Sequence, residues 1–276
     1  MNKSILITGA YGGMGRATAK ALANMGYRVF ALDKTVAEEA ENIIPIEADI
    51  TDENSVKGAF GKISAYTDNL FAVIHFAGVY MLDSLVEMES EEFERIFKIN
   101  LNGAFLINKT FLPLLTCDSK IIITTSELAP LDPLPFTGIY AITKSALDKY
   151  AYSLRMELQL KDINVSVLRA GAVDTGMLGA SMSALDRFNE KTKLYTCNAK
   201  RFKDIVESVE AKSVPAQKIA NKIIKMLGKS KPKFAYSINR NPLLLILNAL
   251  PRRFQFFVIK RILKSKTDER SEKKDE

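Results

Sequence analysis

A hydroxyl, a phenol and an amine follow one another in residues 126–144, SELAPLDPLPFTGIYAITK. Tyr140 opens a run without Gly or Pro, YAITKSALDKYAYSLRMEL, whose pattern predicts a helix. Lys144 lies four residues beyond Tyr140, so both side chains share one face of that helix. A neighbouring cation favours the phenolate, and we therefore expect Tyr140 to have a lowered pKa. Such a phenol exchanges a proton with an alcohol or a carbonyl near neutral pH.

A glycine-rich turn, TGAYGGMG, stands at residues 8–15 between a predicted strand at residues 3–8 and a predicted helix. Gly9, Gly13 and Gly15 have the spacing TGxxxGxG. A turn of this kind brings backbone N–H groups close to a pyrophosphate at the N-terminus of the helix. The motif therefore predicts a dinucleotide site.

Asp33 ends the next strand-like run, YRVFAL, at about 20 positions beyond the glycines. Its carboxylate can accept hydrogen bonds from the ribose hydroxyls of an adenosine and would repel a 2′-phosphate. Arg16 and Lys34 are nearby cations that would soften this preference. We expect NAD as the cofactor, with NADP less favoured.

Strands and helices alternate from residue 3 to about residue 238, and the strands are short apolar runs typical of a sheet covered on both faces. The predicted fold is α/β, a single-domain doubly wound parallel sheet of about seven strands with helices on both faces and a C-terminal helical extension. One long helix is predicted at residues 90–115, with Asn100 in its middle. The predicted strands are 3–8, 27–33, 43–48, 70–78, 120–126, 163–171 and 232–238.

The composition, 47% hydrophobic and 26% charged, is that of a globular protein with a sizeable core. One histidine, His75, and two cysteines, Cys117 and Cys197, argue against a metal site and a disulfide framework. Lys3 is followed at once by a strand-like run, so we expect no signal peptide and a cytoplasmic protein. The net charge of +7 is concentrated toward the C-terminus without a nucleic-acid-binding motif, so we expect no nucleic-acid partner.

Together these motifs resemble the short-chain dehydrogenase/reductase family, and the resemblance covers residues 3 to about 238. TGAYGGMG is similar to the family's cofactor loop, and the Tyr–Lys spacing resembles that of its carbonyl and alcohol dehydrogenases rather than its enoyl reductases. The family's catalytic tetrad is matched by Asn100, Ser126, Tyr140 and Lys144. Further matches are Asp49-Ile50, Ala77-Gly78 and the segment from Ala170-Gly171 to Thr175.

The resemblance implies an NAD(P)-dependent alcohol dehydrogenase or ketoreductase that assembles as a homodimer or homotetramer. Tyr140 would transfer the proton, and Ser126 would hydrogen-bond the substrate oxygen. Lys144 would also hold the nicotinamide ribose, and Asn100 would hold a water that links Lys144 to solvent. The implied cofactor-binding residues are Thr8, Gly9, Tyr11, Gly12, Gly13, Met14, Gly15, Asp33, Lys34, Asp49, Ile50, Ala77, Gly78, Tyr140, Lys144, Gly171, Val173 and Thr175.

The resemblance also sets the predicted boundaries. Residues 1–238 form a Rossmann-fold dehydrogenase domain, which includes a lid at residues 176–213. An amphipathic helical extension follows at residues 239–264, and a disordered tail at residues 265–276.

Two positions depart from the family's pattern. The chain has His75-Phe76 where the family usually has Asn-Asn, and Ala170 stands in place of the usual Pro. Because the first Asn normally stabilises the central strand, we expect the architecture to survive and the contact near the adenosine to change. We expect His75 to be structural, and the loop before Val173 to be less constrained.

The predicted lid is rich in apolar side chains. The predicted substrate pocket consists of Ser126 with Met177, Leu178 and Met182. Other apolar residues of the lid either line an apolar pocket or cover the helix beneath it, and they are Leu185, Phe188, Leu194 and Tyr195.

The segment at residues 240–264 has six Lys or Arg and no acid, and its longest apolar run, residues 243–247, is far short of a membrane span. Three placements remain open: beside the substrate entrance, against a partner subunit, or as a peripheral contact on a membrane surface.

The expected function is the NAD(P)-dependent interconversion of a lipophilic secondary alcohol and its ketone by hydride transfer, with a hydroxysteroid as the first candidate. One alternative is an NADPH-dependent ketoreductase of acyl-chain or sugar substrates, against which Asp33 counts. The other is a non-catalytic dinucleotide-binding sensor.

Overall fold

Seven strands form one all-parallel sheet in the computed structural model, which describes residues 3–210 and 213–264. Their order across the sheet is β3-β2-β1-β4-β5-β6-β9, and β7 pairs with β8 outside it. The strands are β1 Ser4–Thr8, β2 Arg28–Asp33, β3 Ile43–Glu47, β4 Leu70–His75, β5 Leu115–Ser126, β6 Asn164–Ala170, β7 Val173–Asp174, β8 Val214–Pro215 and β9 Ala235–Ile238. The predicted doubly wound α/β class is confirmed.

The helices connect successive strands and cover the sheet. They are α1 Gly13–Ala23, α2 Glu53–Ser64, α3 Ser90–Phe97, α4 Gly103–Phe111, α5 Gly138–Leu158, α6 Gly176–Lys191, α7 Thr196–Glu210, α8 Ala216–Leu227, α9 Pro242–Ala249 and α10 Arg252–Leu263. Pro215, at the N-cap of α8, suits a helix start because it has no N–H to satisfy.

Alternate residues of each strand enter two separate apolar cores, as the two-residue period of a strand requires. In β1, Leu6 joins the core beneath α2, α4 and α5, whereas Ile5 and Ile7 join the core beneath α1 and α8. Every residue of β1 is buried. This burial on both faces is the reason that the strands appear in the sequence as continuous apolar runs.

The segment predicted as one helix at residues 90–115 is divided in the structure. A π-helical turn at Lys98–Asn102 separates α3 from α4, and the chain has already entered β5 at Leu115. A π-helical turn inserts a residue into the helix and re-aims the side chains around it, and such turns are frequent at functional sites. The turn carries Asn100.

The predicted lid contains α6 and α7, and at its base Val173 of β7 pairs with Val214 of β8. Beyond β9, the extension forms the two helices α9 and α10. The predicted disordered tail at residues 265–276 lies outside the described residues. Among the helices that the structure describes, none is both long and apolar enough to cross a membrane.

His75, at the end of β4, is 5% exposed and belongs to a buried hydrogen-bonded chain. Its Nε2 lies 2.9 Å from Oδ1 of Asn108, and Nδ2 of Asn108 donates to the Tyr150 hydroxyl at 3.2 Å. The chain links β4 to α4 and α5. This geometry agrees with a structural role for His75.

The buried imidazole should make the protein sensitive to acid. Burial lowers the pKa of His75 to about 4, against the weaker opposing influence of the Asn108 hydrogen bond. The ordinary pKa of an unfolded His is about 6.5. The contribution of neutral His75 to stability is therefore complete above about pH 6.5 and is lost as the pH falls toward about 4. In His75→Asn the loss of unfolding free energy on acidification should be smaller by up to about 3 kcal/mol, because the asparagine side chain does not titrate.

Urea unfolding of the wild type and of His75→Asn at about pH 7.5 and about pH 4.5 checks this expectation. The relevant quantity is the change in unfolding free energy between the two pH values, because the substitution also alters packing at any pH. An equal change in both proteins would assign the acid sensitivity to other groups.

Candidate functional site

The predicted site residues lie along the edge of the sheet at which the parallel strands end. The chain leaves β1 toward β2 and β3 on one side and returns to β4, β5 and β6 on the other. A crevice forms at such a reversal of strand order because the helices that follow β1 and β4 diverge to opposite faces. The glycine turn follows β1, and Gly78 follows β4.

Ser126, Tyr140 and Lys144 meet in this crevice. Ser126 is the last residue of β5, and Tyr140 and Lys144 lie one turn apart near the start of α5. All three side chains are buried. The Tyr140 hydroxyl hydrogen-bonds the Ser126 side chain, and Nζ of Lys144 lies 5.7 Å from the centre of the Tyr140 ring.

The pKa of the Tyr140 phenol is raised in the structure, whereas the sequence predicted a lowered pKa. Burial raises the pKa of Tyr140 to about 12, and the opposing influence is the hydrogen bond with Ser126. Burial also lowers the pKa of Lys144 to about 8, and its ammonium donates to the Thr124 carbonyl at 3.4 Å. The expectation is therefore corrected, because desolvation disfavours both charged forms more strongly than spacing along a helix can reveal.

Asn100 is directed into the crevice by the π-helical turn and is buried. Its Oδ1 accepts from the Val79 N–H at 2.8 Å, and its Nδ2 donates to the Val79 carbonyl at 3.0 Å and to the Thr143 hydroxyl at 3.2 Å. The Thr143 hydroxyl in turn donates to the Tyr140 carbonyl at 2.9 Å. Asn100 thus joins the chain after β4 to α5, and its predicted role in holding a water stays a prediction.

Gly78 allows this close approach. A Cβ at position 78 would lie 3.1 Å from Oδ1 of Asn100 and 3.3 Å from Nζ of Lys144. A side chain would occupy the space between the two groups. Gly78 therefore lies beside Asn100 and Lys144, and the predicted contact of Ala77 and Gly78 with a cofactor stays a prediction.

An ion pair between β6 and α5 fixes the position of α5 on the sheet. Arg169 of β6 forms a bidentate pair with Asp148, one turn beyond Lys144, with N–O distances of 3.0 and 2.7 Å. The Thr125 hydroxyl donates to the same carboxylate at 3.3 Å. Bidentate guanidinium–carboxylate pairs fix orientation. This pair holds α5 in register with the strands that carry Ser126 and Ala170.

The glycine turn is closely packed. Gly9 has a φ of +67°, and a Cβ there would lie 2.5 Å from the Ala77 nitrogen. A Cβ on Gly15 would lie 2.1 Å from the Gly9 carbonyl oxygen, and one on Gly13 would lie 2.5 Å from Cγ2 of Thr175. Protein atoms occupy these Cβ positions, so the turn at the start of α1, called the glycine cradle below, excludes side chains there. A turn without side chains fits the close approach of a pyrophosphate to the backbone. In the described residues, the buried Thr8 hydroxyl at this edge has no hydrogen-bond partner.

Asp33, the last residue of β2, lies beside the glycine turn; of the other predicted residues, Tyr11 is in that turn, Gly12 is the N-cap of α1 and Met14 is in its first turn. Oδ2 of Asp33 accepts from the Tyr11 N–H at 2.9 Å, and its Oδ1 accepts from the Lys34 N–H at 2.8 Å. The carboxylate is thus fixed at the end of β2. These residues fit the adenosine end of a dinucleotide.

Lys34 and Asp49, both predicted to bind the cofactor, pair with each other at 2.8 Å. Burial alone would raise the pKa of Asp49, but hydrogen bonds from Lys34 and Thr51 and the charge of Lys34 hold it at about 2. Ile50 packs against Gly103, where a Cβ would lie 2.5 Å from its Cδ1. Because the Lys34 ammonium pairs with Asp49, it offsets the negative charge of Asp33 less than the adjacent positions of Lys34 and Asp33 in the sequence indicate.

The residues that follow β6 lie at the opposite end of the crevice. A Cβ on Gly171 would lie 1.9 Å from the Asn239 carbonyl oxygen, so the chain after Ala170 passes close to the end of β9. Val173 is buried in β7, and Thr175 lies against Gly13 of the glycine turn. The structure thus brings residues from both halves of the sequence to one cradle.

The apolar side chains of the lid divide between its interior and its surface. Leu185 and Phe188 are buried in a cluster with Phe202, and Tyr195 packs against it, whereas Leu194 is 66% exposed. The four residues predicted either to line a pocket or to cover a helix therefore build the lid or face outward. Of Met177, Leu178 and Met182, predicted for the substrate pocket, the side chains lie outside the described part of the structure.

Sequence reasoning missed Tyr80, which packs on Tyr140. The Tyr80 and Tyr140 rings have centroids 4.9 Å apart. Tyr80 also contacts the lid cluster, so it lies between the lid and the phenol. It has no local motif, and only its position two residues after Gly78 could have drawn attention to it.

Sequence reasoning also missed Glu127, the residue after Ser126. Its Oε2 accepts from the Asn241 N–H at 2.6 Å, and burial raises its pKa. Glu127 thereby connects the end of β5 to the start of α9. Its position beside Ser126 was the available signal.

Fold and site define an oxidoreductase of the dinucleotide-binding class. The family model that matches the chain is that of the short chain dehydrogenases, over residues 3–186. The chain belongs to this family, whose members bind NAD or NADP. Among the described residues, no group of three or more His, Cys, Asp or Glu is arranged to hold a metal ion.

Two curated relatives illustrate the range of the family. The probable short-chain type dehydrogenase/reductase VdlC of Helicobacter pylori is 28% identical over 254 residues, which cover 89% of this chain and 92% of that protein. Estradiol 17-beta-dehydrogenase 2 of Mus musculus is 31% identical over 192 residues, which cover 64% of this chain and 50% of that protein. The second match thus spans only half of the mouse protein.

Solved structures share the fold. The 3-ketoacyl-(acyl-carrier-protein) reductase from Brucella melitensis, complexed with NADH, has a TM-score of 0.69 at 21% identity and covers 86% of this chain and 96% of its own. A short chain dehydrogenase from Burkholderia cenocepacia, in complex with NADP, has a TM-score of 0.72 at 19% identity and covers 96% of this chain and 98% of its own. At these identities the likeness concerns the fold alone.

Proposed function

We propose that the protein interconverts a lipophilic secondary alcohol and its ketone, with NAD(H) preferred, and that a hydroxysteroid is the first substrate class to test. The observation that carries the proposal is the meeting of Ser126, Tyr140 and Lys144 beside a glycine cradle. The family supports a redox reaction of an alcohol or ketone.

The roles proposed for the chain's own residues follow from this geometry. Tyr140 donates the proton to the ketone oxygen in reduction and accepts it in oxidation. Ser126, hydrogen-bonded to that phenol, donates to the same oxygen and stabilises its developing negative charge. With a pKa of about 12 the phenol of Tyr140 is protonated near neutral pH, which is the form that donates a proton to a ketone.

The nicotinamide dinucleotide supplies the hydride transfer that side chains cannot perform. The glycine turn and the N-terminus of α1 would hold its pyrophosphate, and Asp33 would hold the adenosine ribose. Lys144, beside Gly78 in the crevice, would hold the nicotinamide ribose. The side-chain-free turn at the start of α1 supports this placement of the pyrophosphate.

Two observations support a lipophilic substrate. Tyr80 and the lid cluster place apolar surface on the side of Tyr140 that faces the lid. The mouse relative is named for oxidation of a steroid alcohol. An absorbance screen that follows NADH against steroids, retinoids and small ketones tests the proposal. Turnover of small polar sugars alone, or of no alcohol or ketone, would contradict it.

The cofactor preference has a direct test. Asp33→Ser should raise the ratio of kcat/KM for NADP to that for NAD by at least about tenfold, because the substitution removes a carboxylate that repels the 2′-phosphate. Lys34→Ala is the matched control, since it removes the neighbouring cation and should lower that ratio. A wild type that prefers NADPH would overturn the proposed preference.

Two further proposals concern the state of the protein. The family resemblance supports a homodimer or homotetramer, which light scattering of the full chain measures. A cytoplasmic location is proposed from the same resemblance and from the free cysteines, Cys117 and Cys197, which are exposed. Fractionation of cells that express the chain tests the location.

A further inference from the structure

Helices α9 and α10 form a hairpin that is attached to the body of the protein by its polar groups. Asn248 accepts from the Asp132 N–H at 2.6 Å, and Arg252 pairs with the Asp132 carboxylate at 3.2 Å. At the far end, Asn198 and Arg201 of α7 donate to the Leu263 and Lys264 carbonyls at 2.9 and 2.8 Å. The hairpin is thus held against the loop after Ser126 and against the lid.

The outer face of this hairpin is apolar. No residue of α9 is fully buried, and on α10 only Gln255 is. Large apolar side chains are 47–67% exposed on the two helices: Leu243, Ile246, Phe254, Phe256, Phe257 and Ile262. The first two are one turn apart on α9. A surface of this kind is rare on a monomer unless it contacts something.

The apolar residues of α10 include an ordered aromatic pair. The rings of Phe254 and Phe257, one turn apart, stack with centroids 6.1 Å apart. Arg253, Lys260 and Arg261 are exposed on the same helix. By the helical period, these basic side chains are interspersed with the exposed phenylalanines. Aromatic side chains that enter an interface, with Lys and Arg side chains that reach the headgroups beside them, are typical of a helix that lies on a membrane surface.

The charge of the hairpin decides between the partners that could cover it. Residues 240–264 contain six Lys or Arg and no acid, and the acid that pairs with Arg252 lies outside the hairpin. A second copy laid against this face would bring like charges together, which opposes association. An anionic headgroup layer would instead attract each Lys or Arg side chain near its surface, which strengthens binding.

The length of the helices determines how the hairpin would meet lipid. Helix α9 has 8 residues and α10 has 12, against the ~20 that a membrane span needs. The exposed aromatic and aliphatic side chains can enter the interface while the Lys and Arg side chains contact headgroups. We infer that the outer face of α9 and α10 docks the protein on the surface of an anionic lipid bilayer.

Docking in this orientation places the hairpin between the lipid and the loop that joins Ser126 to α5, since Asp132 of that loop contacts the hairpin. The inference concerns binding and stands independently of the proposed reaction. Vesicle binding is therefore measured without substrate or cofactor, so that failure of one proposal does not imply failure of the other.

The test is co-sedimentation of the full chain with vesicles of phosphatidylcholine that contain about 30% phosphatidylserine, compared with phosphatidylcholine alone. We expect binding to the anionic vesicles and its loss when the salt rises from about 0.1 M to about 1 M. Arg253→Gln with Arg261→Gln should weaken binding roughly 10- to 30-fold, the effect of two lost headgroup contacts.

Two further double variants distinguish a lipid surface from a second copy of the chain as the occupant of this face. Phe254→Ser with Phe257→Ser should weaken vesicle binding at least about tenfold. Phe93→Ser with Leu160→Ser, at exposed apolar residues away from the hairpin, should leave it unchanged. Equal vesicle binding by all of these proteins would overturn the inference. The inference would also be overturned if Phe254→Ser with Phe257→Ser bound vesicles as the wild type does but changed the protein from a dimer to a monomer. That result would assign the face to a second copy of the chain.

Discussion

Tyr140→Phe is expected to reduce turnover by at least about 10²-fold while leaving the binding of NADH unchanged. The substitution removes one oxygen, the atom that hydrogen-bonds Ser126, and keeps the ring that packs against Tyr80. The loss therefore reports on proton transfer and not on the packing of α5. Steady-state rates together with NADH fluorescence titration make the measurement.

Tyr152→Phe is the matched control, because Tyr152 lies three turns further along α5 and is half exposed. It should keep wild-type turnover. If Tyr140→Phe also kept it, Tyr140 would not be the proton donor. A fall in NADH affinity equal to the fall in turnover would instead indicate that the phenol mainly organises the cofactor site.

Gly15→Ala is expected to disrupt the glycine cradle. The new Cβ would lie 2.1 Å from the Gly9 carbonyl oxygen and 2.8 Å from Cα of Ala10, so the backbone of the turn must move. Gly9 cannot give way easily, since its own Cβ position is 2.5 Å from the Ala77 nitrogen. Overpacking of this kind costs about 1–3 kcal/mol of stability. We expect NADH affinity to fall by at least about tenfold, because displaced N–H groups no longer converge on the pyrophosphate.

Gly61→Ala is the matched control. Gly61 lies in α2, and nothing surrounds its Cβ position within 4 Å. This substitution should raise stability by about 0.5–1 kcal/mol, as a helix interior gains from alanine, without changing NADH affinity. Urea unfolding and fluorescence titration separate the two effects. Unchanged NADH affinity in a destabilised Gly15→Ala protein would remove the turn from the nucleotide site.

Much of the fold was predictable because its determinants are local or periodic. The strands are apolar runs since both faces of the sheet are covered, and each predicted strand overlaps a strand of the sheet. The glycine turn was predictable because a chain that must approach a phosphate between a strand and a helix excludes side chains. Boundaries were less predictable: β5 begins at Leu115, since pairing with β4 extends it backward from the apolar run.

The candidate site was predictable as a set of residues but not as an arrangement. Spacing alone placed Tyr140 and Lys144 on one face of a helix. It did not place Asn100 in a π-helical turn, where its amide holds both backbone groups of Val79. That contact joins residues 21 apart in the chain, and no local pattern encodes it.

Amino-acid type and spacing therefore determined the strand–helix alternation and the glycine turn, because backbone sterics and side-chain periodicity act within a few residues. They also indicated the candidate reactive groups. Tertiary structure alone decided the direction in which the pKa of Tyr140 is shifted. The sequence predicted a lowered pKa for Tyr140, but burial raises that pKa to about 12. Burial depends on segments that are distant in the chain, so the sequence pattern did not reveal it. Tertiary structure also decided that Leu185 and Phe188 fill the lid and that Tyr80 meets Tyr140. These contacts join distant segments, whose meeting depends on the packing of the whole domain.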